Sequence, residues 1–265
     1  MTLKFVRDVA VNRNSLTTRQ KRLHYVSNIL DGTIDPRKSV FIDETGFNNN
    51  IRRSFGRSLK GSRCFKVCRA QRGKKLSVCM AISIDGVIHH KIKSGSFDRK
   101  AFQEFITELS VIVGDEELFF VMDNCKIHYE TYPEHDEHVM TFLPPYSPML
   151  YPIESVFNQL KAKIKLDMAE VNLNQQGQIR SKLIRCIEEW IFSHMCVKMT
   201  PFFNHCIEFY ARCINKTYIY GDKLKSYHKK ILDKTSNHKF LPPLIIQIIK
   251  SSTNASSLVY PFLTK

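Results

Sequence analysis

Three carboxylates stand out by their settings. Asp43 closes the apolar run Ser39-Val40-Phe41-Ile42 and Asp123 closes Leu118-Phe119-Phe120-Val121-Met122. Glu154 ends the stretch Pro144-Pro145-Tyr146-Ser147-Pro148-Met149-Leu150-Tyr151-Pro152-Ile153-Glu154. Short apolar runs of this kind read as buried strands, and Pro152 suits the first turn of a helix. Two acids at strand tips and a third near a helix start can converge into a cage of hard oxygen ligands. Such a cage suits Mg²⁺ or Mn²⁺, and a pair of these ions clamps the attacking and the leaving oxygen of a phosphodiester. Taken singly, Asp43 reads as a turn cap and Glu154 as a favourable charge at a helix N-terminus. Taken together, they point to metal-dependent chemistry on nucleic acid.

These residues need a frame. A chain of 265 residues holds one large domain, or one with a substantial appendage, and its 43% apolar content supplies a core. The formal net charge is +15, which suits a polyanionic partner, because each Lys or Arg meeting a phosphate releases counterions. Charge alone carries no base-sequence information. None of the eight cysteines forms a C-x₂-C pair, so the set reads mainly as buried thiols; His194 with Cys196 and His205 with Cys206 are weak zinc candidates. Met1 to Asn14 is mixed and charged, unlike a secretory signal. The run Leu241 to Ile249 is too short to span a bilayer and contains Pro242 and Pro243, so no membrane association is expected. A reduced intracellular compartment follows as the expected home, and no small-molecule cofactor is indicated.

Along the chain, Thr17 to Leu30 reads as a short helix with a Ser/Thr cap and a basic face, docking through Leu23, Val26 and Leu30. Val40 to Ile42 reads as a strand. Asn48 to Lys75 is polar and glycine-punctuated, and carries Arg52, Arg53, Arg57, Lys60, Arg63, Lys66, Arg69, Arg72, Lys74 and Lys75. This is the densest electropositive stretch, read as a phosphate-facing surface, or as a solvated hairpin. Leu76 to Ile84, a turn at Asp85-Gly86, and Val87 to Lys93 make a hairpin. A helix over 98–113 carries an apolar stripe at 101, 102, 105, 106, 109, 112 and 113. Strands over Leu118 to Met122 and Val139 to Leu143 follow, then helices over Ile153 to Leu166, Gln178 to Ile191 and Phe202 to Ile214. The order predicts an α/β plan with a mixed sheet of five strands flanked by helices.

The motifs resemble those of the mariner-like DDE transposases. Phe41-Ile42-Asp43-Glu44-Thr45-Gly46-Phe47 is similar to the first-aspartate motif, and Met122-Asp123-Asn124 with Ile127-His128 to the second, "DN-x-x-IH". Arg57-Ser58 with Lys60-Gly61 resembles "GRS-x-KG", and Arg72-Gly73-Lys74-Lys75 resembles "RG-x-K". Leu143-Pro144-Pro145-Tyr146-Ser147-Pro148 with Pro152-Ile153-Glu154 resembles "LPPYSP-x-LNPIE", which supplies the third carboxylate. The likeness runs from about Thr17 to Met168, and more faintly to Ile214.

That resemblance implies a ribonuclease-H-like fold, a two-metal site of Mg²⁺ or Mn²⁺, and hydrolysis followed by strand transfer on DNA. It makes Asp43, Asp123 and Glu154 both the catalytic and the metal-binding residues. Asn124 and His128 are supporting residues that orient the site or satisfy loop backbone. Arg52, Arg53, Arg57, Lys60, Arg63, Arg72, Lys74 and Lys75 are the DNA-binding candidates. A homodimer is expected when two transposon ends are brought together, with residence in the nucleus of a eukaryotic host and otherwise in the cytoplasm.

The sequence departs from the family pattern at three points. Tyr151 stands where the motif has Asn, which changes the hydrogen bonding of the carboxylate loop. Thirty residues separate Asp123 from Glu154, a few fewer than usual, with the shortage in Tyr129 to His138. Few residues precede Asp43, too few for two helix-turn-helix domains. The expectation is an isolated catalytic domain with an intact triad, an altered loop and reduced or lost activity; the rival is a catalytically inert DNA-binding protein. The expected division is a connector over 1–37, a core over 38–168, C-terminal helices over 169–221 packed on that core, and a tail over 222–265 without assignment.

Overall fold

The structure, a computed structural model, describes residues 8–48, 51, 57–65, 75–129, 131–133, 137–168 and 176–220. It divides into two compact units, one of residues 35–209 and one of residues 1–34 with 210–265.

The larger unit is built on five strands, β1 (Ser39–Phe47), β2 (Leu76–Ser83), β3 (Gly86–Ser94), β4 (Phe119–Met122) and β5 (Val139–Phe142), in the spatial order β3-β2-β1-β4-β5. β1, β2 and β3 form an antiparallel meander, while β4 and β5 run parallel to β1. This is the mixed five-stranded α/β sheet that the element order predicts. Its first face is covered by α2 (Arg99–Val113), which Asp98 caps through its carboxylate and Gly114 ends at φ 70°. Val40 and Ile42 of β1, Cys79 and Ala81 of β2, and Phe120 and Met122 of β4 pack there against Phe102, Phe105, Ile106 and Leu109. The stripe expected on α2 holds except at Ile112, which is exposed; Val113 is partly buried and packs against the same core.

The same unit holds α3 (Pro152–Asp167), α4 (Gln176–Ser193) and α5 (Thr200–Ile207). Ile153, Val156, Phe157, Leu160 and Ile164 form the buried stripe of α3. Phe203 of α5 meets Phe41 edge-on at 5.3 Å, so α5 lies on the opposite face of β1 from α2, beside α3, which contacts both α5 and β1.

The smaller unit contains α1 (Leu16–Leu30) and α6 (Tyr210–Ile214). Ser15 caps α1 by accepting from the Thr18 amide at 3.2 Å. Of the expected Leu23, Val26 and Leu30, Val26 is buried while Leu23 and Leu30 are half-buried, and the buried face is Thr18, Arg22, Tyr25, Val26 and Ile29. Arg22 is tolerated inside because its guanidinium donates to the Arg13 carbonyl at 2.8 Å, leaving its stem to pack as an apolar chain. The single helix expected over 202–214 is two helices. The turn between them buries Phe209 completely, with its amide bonded to the Cys206 carbonyl at 3.0 Å.

Candidate active site

β1 is longer than its apolar run. It continues through Asp43-Glu44-Thr45-Gly46-Phe47 because β2 supplies ladder partners from Ile82 back to Leu76. Asp43 is therefore inside a strand rather than at its end. What does end here is the pairing with β4, whose register runs from Ser39 opposite Phe119 to Phe41 opposite Val121. Two steps further along the same register, Asp43 comes level with Asp123, the first residue after β4. Both carboxylates thus stand at the tip of one parallel strand pair.

Glu154 reaches the site from the other side. The loop after β5 turns at Tyr146, which adopts a left-handed backbone (φ 54°), and Ser147 donates to the Pro145 carbonyl at 3.0 Å. A short 3₁₀ turn (Pro148–Leu150) then buries Met149 and Leu150, anchoring the loop in the core. Pro152 opens α3, and the Glu154 amide donates to the Tyr151 carbonyl, so Glu154 sits in the first helical turn.

The electrostatics tie the three together. The Asp43 carboxyl is held well above the usual carboxylate range, chiefly by burial, with further pressure from Glu44, Glu154 and Asp123; a hydrogen bond from the Glu44 amide opposes this. Asp123 moves the other way. Burial would raise it, but the His128 ring and the Cys125 amide outweigh that and hold it below the usual range. Neighbouring acids with opposite displacements are a mark of functional sites.

His128 explains the difference. Its side chain is fully enclosed, with Nδ1 at 2.9 Å from Asp123 Oδ1 and Nε2 at 3.1 Å from Glu44 Oε1. The ring lies 4.3 Å from the Phe102 ring, which fixes its plane. Two carboxylates on its two nitrogens favour the imidazolium, and His128 is raised to about 10 although burial alone would lower it. Glu44 points to the α2 face, as strand alternation requires, and its carboxylate is tied to Asp123 through His128. That link was not apparent in the sequence. The only signal for it was a Glu directly after the first Asp and a His five residues after the second.

Asn124 has a different task. Its Nδ2 donates to the Leu143 carbonyl and its Oδ1 accepts from the Tyr129 hydroxyl at 3.3 Å, joining the loop after β4 to the chain leaving β5. The short connection between Asp123 and Glu154 is pinned to α2 by Gln103, which exchanges two hydrogen bonds with the Tyr132 backbone, at 2.7 and 3.0 Å. Residues 130 and 134–136 of that connection lie outside the described residues. Tyr151 is buried rather than intrusive: its ring packs on Phe41 at 6.0 Å and its hydroxyl donates to the Ile42 carbonyl.

Of the basic candidates, Arg57, Lys60, Arg63 and Lys75 are exposed, and Lys75 lies across Gly46, where a Cβ would meet its side chain. Arg52, Arg53, Lys66, Arg69, Arg72 and Lys74 lie outside the described residues. Among the described residues, no three His, Cys, Asp or Glu side chains stand close enough to hold one ion between them. The expected three-acid cage is therefore not preformed among the described residues; one oxygen of Asp43 accepts from the Glu44 amide and one of Asp123 lies against His128. The weak zinc candidates fare no better. His194 stacks on Trp190 at 3.9 Å, and Cys206 is a buried free thiol. Among the described residues no helix is long and apolar enough to cross a membrane.

A profile of the DDE superfamily endonucleases matches residues 38–172, just over half of the chain. The chain belongs to that family. Its match begins at β1 and runs past α3, so it contains all three carboxylates of this DDE endonuclease. Solved structures agree in fold. The Mos1 transposase paired-end complex with left transposon end is 17% identical, with a TM-score of 0.63 over 83% of this chain and 68% of that one. The Mos1 Strand Transfer Complex gives 16% and 0.62 over the same shares. The catalytic domain of Mos1 mariner transposase gives 15% and 0.54, covering 81% of this chain and all of that one. At these identities the likeness establishes the ribonuclease-H-like fold. No curated protein matches the chain.

Proposed function

We propose that this DDE endonuclease is the catalytic domain of a mariner-like transposase, which cuts DNA phosphodiesters and joins the freed 3′ ends to new DNA. The observation that carries the reading is the placement of Asp43 level with Asp123 on parallel strands, with Glu154 close enough to raise the Asp43 carboxyl. The solved relatives include Mos1 complexes with transposon ends, with Mn and with Mg, which supports DNA as partner and a divalent ion as cofactor.

The donor set fits such an ion. All three side chains offer hard carboxylate oxygens, and Mg²⁺ is commonly held by one or two carboxylates with waters and substrate phosphate completing its shell. A closed protein cage is therefore not required. Asp43, Asp123 and Glu154 would hold one or two ions, and bound metal supplies Lewis-acid polarisation of the phosphate and a water of lowered pKa. The protein's own groups do the rest. A cation held beside Asp43 would offset the burial and the repulsion from Glu44, Glu154 and Asp123 that raise its carboxyl. His128 holds Asp123 in one orientation, as partners of metal-binding groups generally do. Exposed Arg57, Lys60, Arg63 and Lys75, together with the further basic residues of 52–74, would grip the phosphodiester backbone. Two copies acting together are the assembly suited to joining two ends, in the nucleus if the host is eukaryotic.

The test is strand transfer. A labelled duplex with a recessed 3′-OH is incubated with the full chain, supercoiled plasmid and Mn²⁺. Label joined to plasmid, and absent with Asp123→Asn, supports the reading. DNA bound but neither nicked nor joined would replace it with the inert, DNA-binding alternative.

A further inference from the structure

Tyr151 makes two hydrogen bonds that end at the backbones carrying two different acids. Its main-chain carbonyl accepts from the Glu154 amide, which fixes the first turn of α3. Its hydroxyl donates to the carbonyl of Ile42, the residue directly before Asp43, across 109 positions of sequence. The ring between these two points is 3% exposed and rests on Phe41, which itself meets Phe203 edge-on. Phe41 and Asp43 share a face of β1, two residues apart. Tyr151 also stands at the N-cap position of α3 without capping the helix through its side chain. An Asn there would be a favoured cap but is too short to span the gap to β1.

We propose that Tyr151 is a positioning residue: a rigid strut between β1 and the start of α3 that sets how far Glu154 stands from Asp43. The proposal rests on the reading that these acids hold a divalent ion. A strut of two χ angles in a packed pocket costs little entropy and allows little play, and metal sites lose affinity when supporting groups are disturbed. The departure from the family motif is therefore compensated within the fold.

Tyr151→Phe keeps the ring and removes only the hydroxyl, so it is the informative variant; Tyr151→Asn restores the motif residue. Two readouts are needed, both on the full chain. The first is Mn²⁺ binding by calorimetry. The second is amide hydrogen exchange at residues 43–45 and 153–155 without metal. The strut predicts about ten-fold weaker Mn²⁺ binding for Tyr151→Phe and no recovery for Tyr151→Asn. It also predicts faster exchange at both segments in Tyr151→Phe, while Phe41 and Phe203 keep the fold. Unchanged exchange in Tyr151→Phe would overturn the strut, as would wild-type Mn²⁺ affinity in that variant. If the wild type itself binds no Mn²⁺, the metal reading fails, and the exchange data still decide whether Tyr151 ties the two elements together.

Discussion

Replacing Glu44 by Gln keeps nearly the same shape against His128 and removes one of its two carboxylate partners. The Glu44 side chain is 18% exposed and the His128 side chain is fully enclosed, so this bond is poorly screened by solvent. Burial pulls His128 down, yet the bonds to Asp123 and Glu44 carry it from 6.5 to about 10. At about 1.4 kcal/mol per unit, that displacement caps the stabilisation near ~5 kcal/mol. Asp123 is half exposed and contributes a screened share, so the Glu44 bond is worth about 2 kcal/mol, in the range of hydrogen bonds to charged groups. The sign follows from the raised folded value. The stabilisation is fully present below pH 6.5, where folded and unfolded His are both protonated, and is lost as pH rises through about 10. In EDTA, wild type should therefore melt about 4–8 °C above Glu44→Gln at pH 6, with the gap closing towards pH 10. Guanidinium titrations at each pH give the same difference as a free energy. A gap of equal size at pH 6 and pH 10, or no gap at either, would refute the charged network.

Further outcomes follow from the same geometry. Asp43 has linkage of the same sign: its folded value is raised by burial and by its acidic neighbours, so its ionised form costs stability as pH rises, and metal-free Asp43→Asn should melt at or above wild type, more clearly at pH 8 than at pH 5. Mn²⁺ at one hundred times its Kd should stabilise wild type by about 2.7 kcal/mol and Asp43→Asn by far less, read by thermal melting. Phe102→Ala removes the ring beneath His128 and a fully buried core residue, and should cost about 3–5 kcal/mol in denaturant unfolding. Replacing Arg57, Lys60 and Arg63 by Ala should lower the slope of log affinity against log salt by about 0.9 for each phosphate no longer neutralised, measured on duplex DNA by anisotropy.

The strands and α2 were legible in the sequence because their apolar periods match the faces they bury. Phe119 to Met122 and Leu76 to Ser83 differ by at most a residue or two from the expected runs. The extension of β1 to Phe47 was not legible, because Asp-Glu-Thr-Gly is a poor strand on propensity and is held there by the ladder to β2. The split of the helix over 202–214 and the buried Arg22 of α1 were set by tertiary packing that no local period reports. At the site, the three acids were visible as single residues at the ends of recognisable segments. Asn124 and His128 were marked as supporting residues by the family resemblance, but the long-range partners were not legible, since the Glu44–His128 bond spans 84 positions and the Tyr151 bond 109. From sequence, Tyr151 looked like a defect in the loop. Seen with β1 beside it, the phenol has a carbonyl to meet and a ring to rest on.

Asp43, Asp123 and Glu154 are proposed to act as one metal-dependent phosphodiesterase centre. The most direct measurement is nicking of supercoiled plasmid by the full chain at low salt with Mn²⁺, beside Asp43→Asn, Asp123→Asn and Glu154→Gln. Wild type should nick the plasmid in a reaction that stops with EDTA and is lost in each of the three variants, while all four proteins bind the plasmid equally. Nicking that survives any one of these substitutions, or wild-type protein that binds the plasmid and leaves it intact, would contradict the proposal.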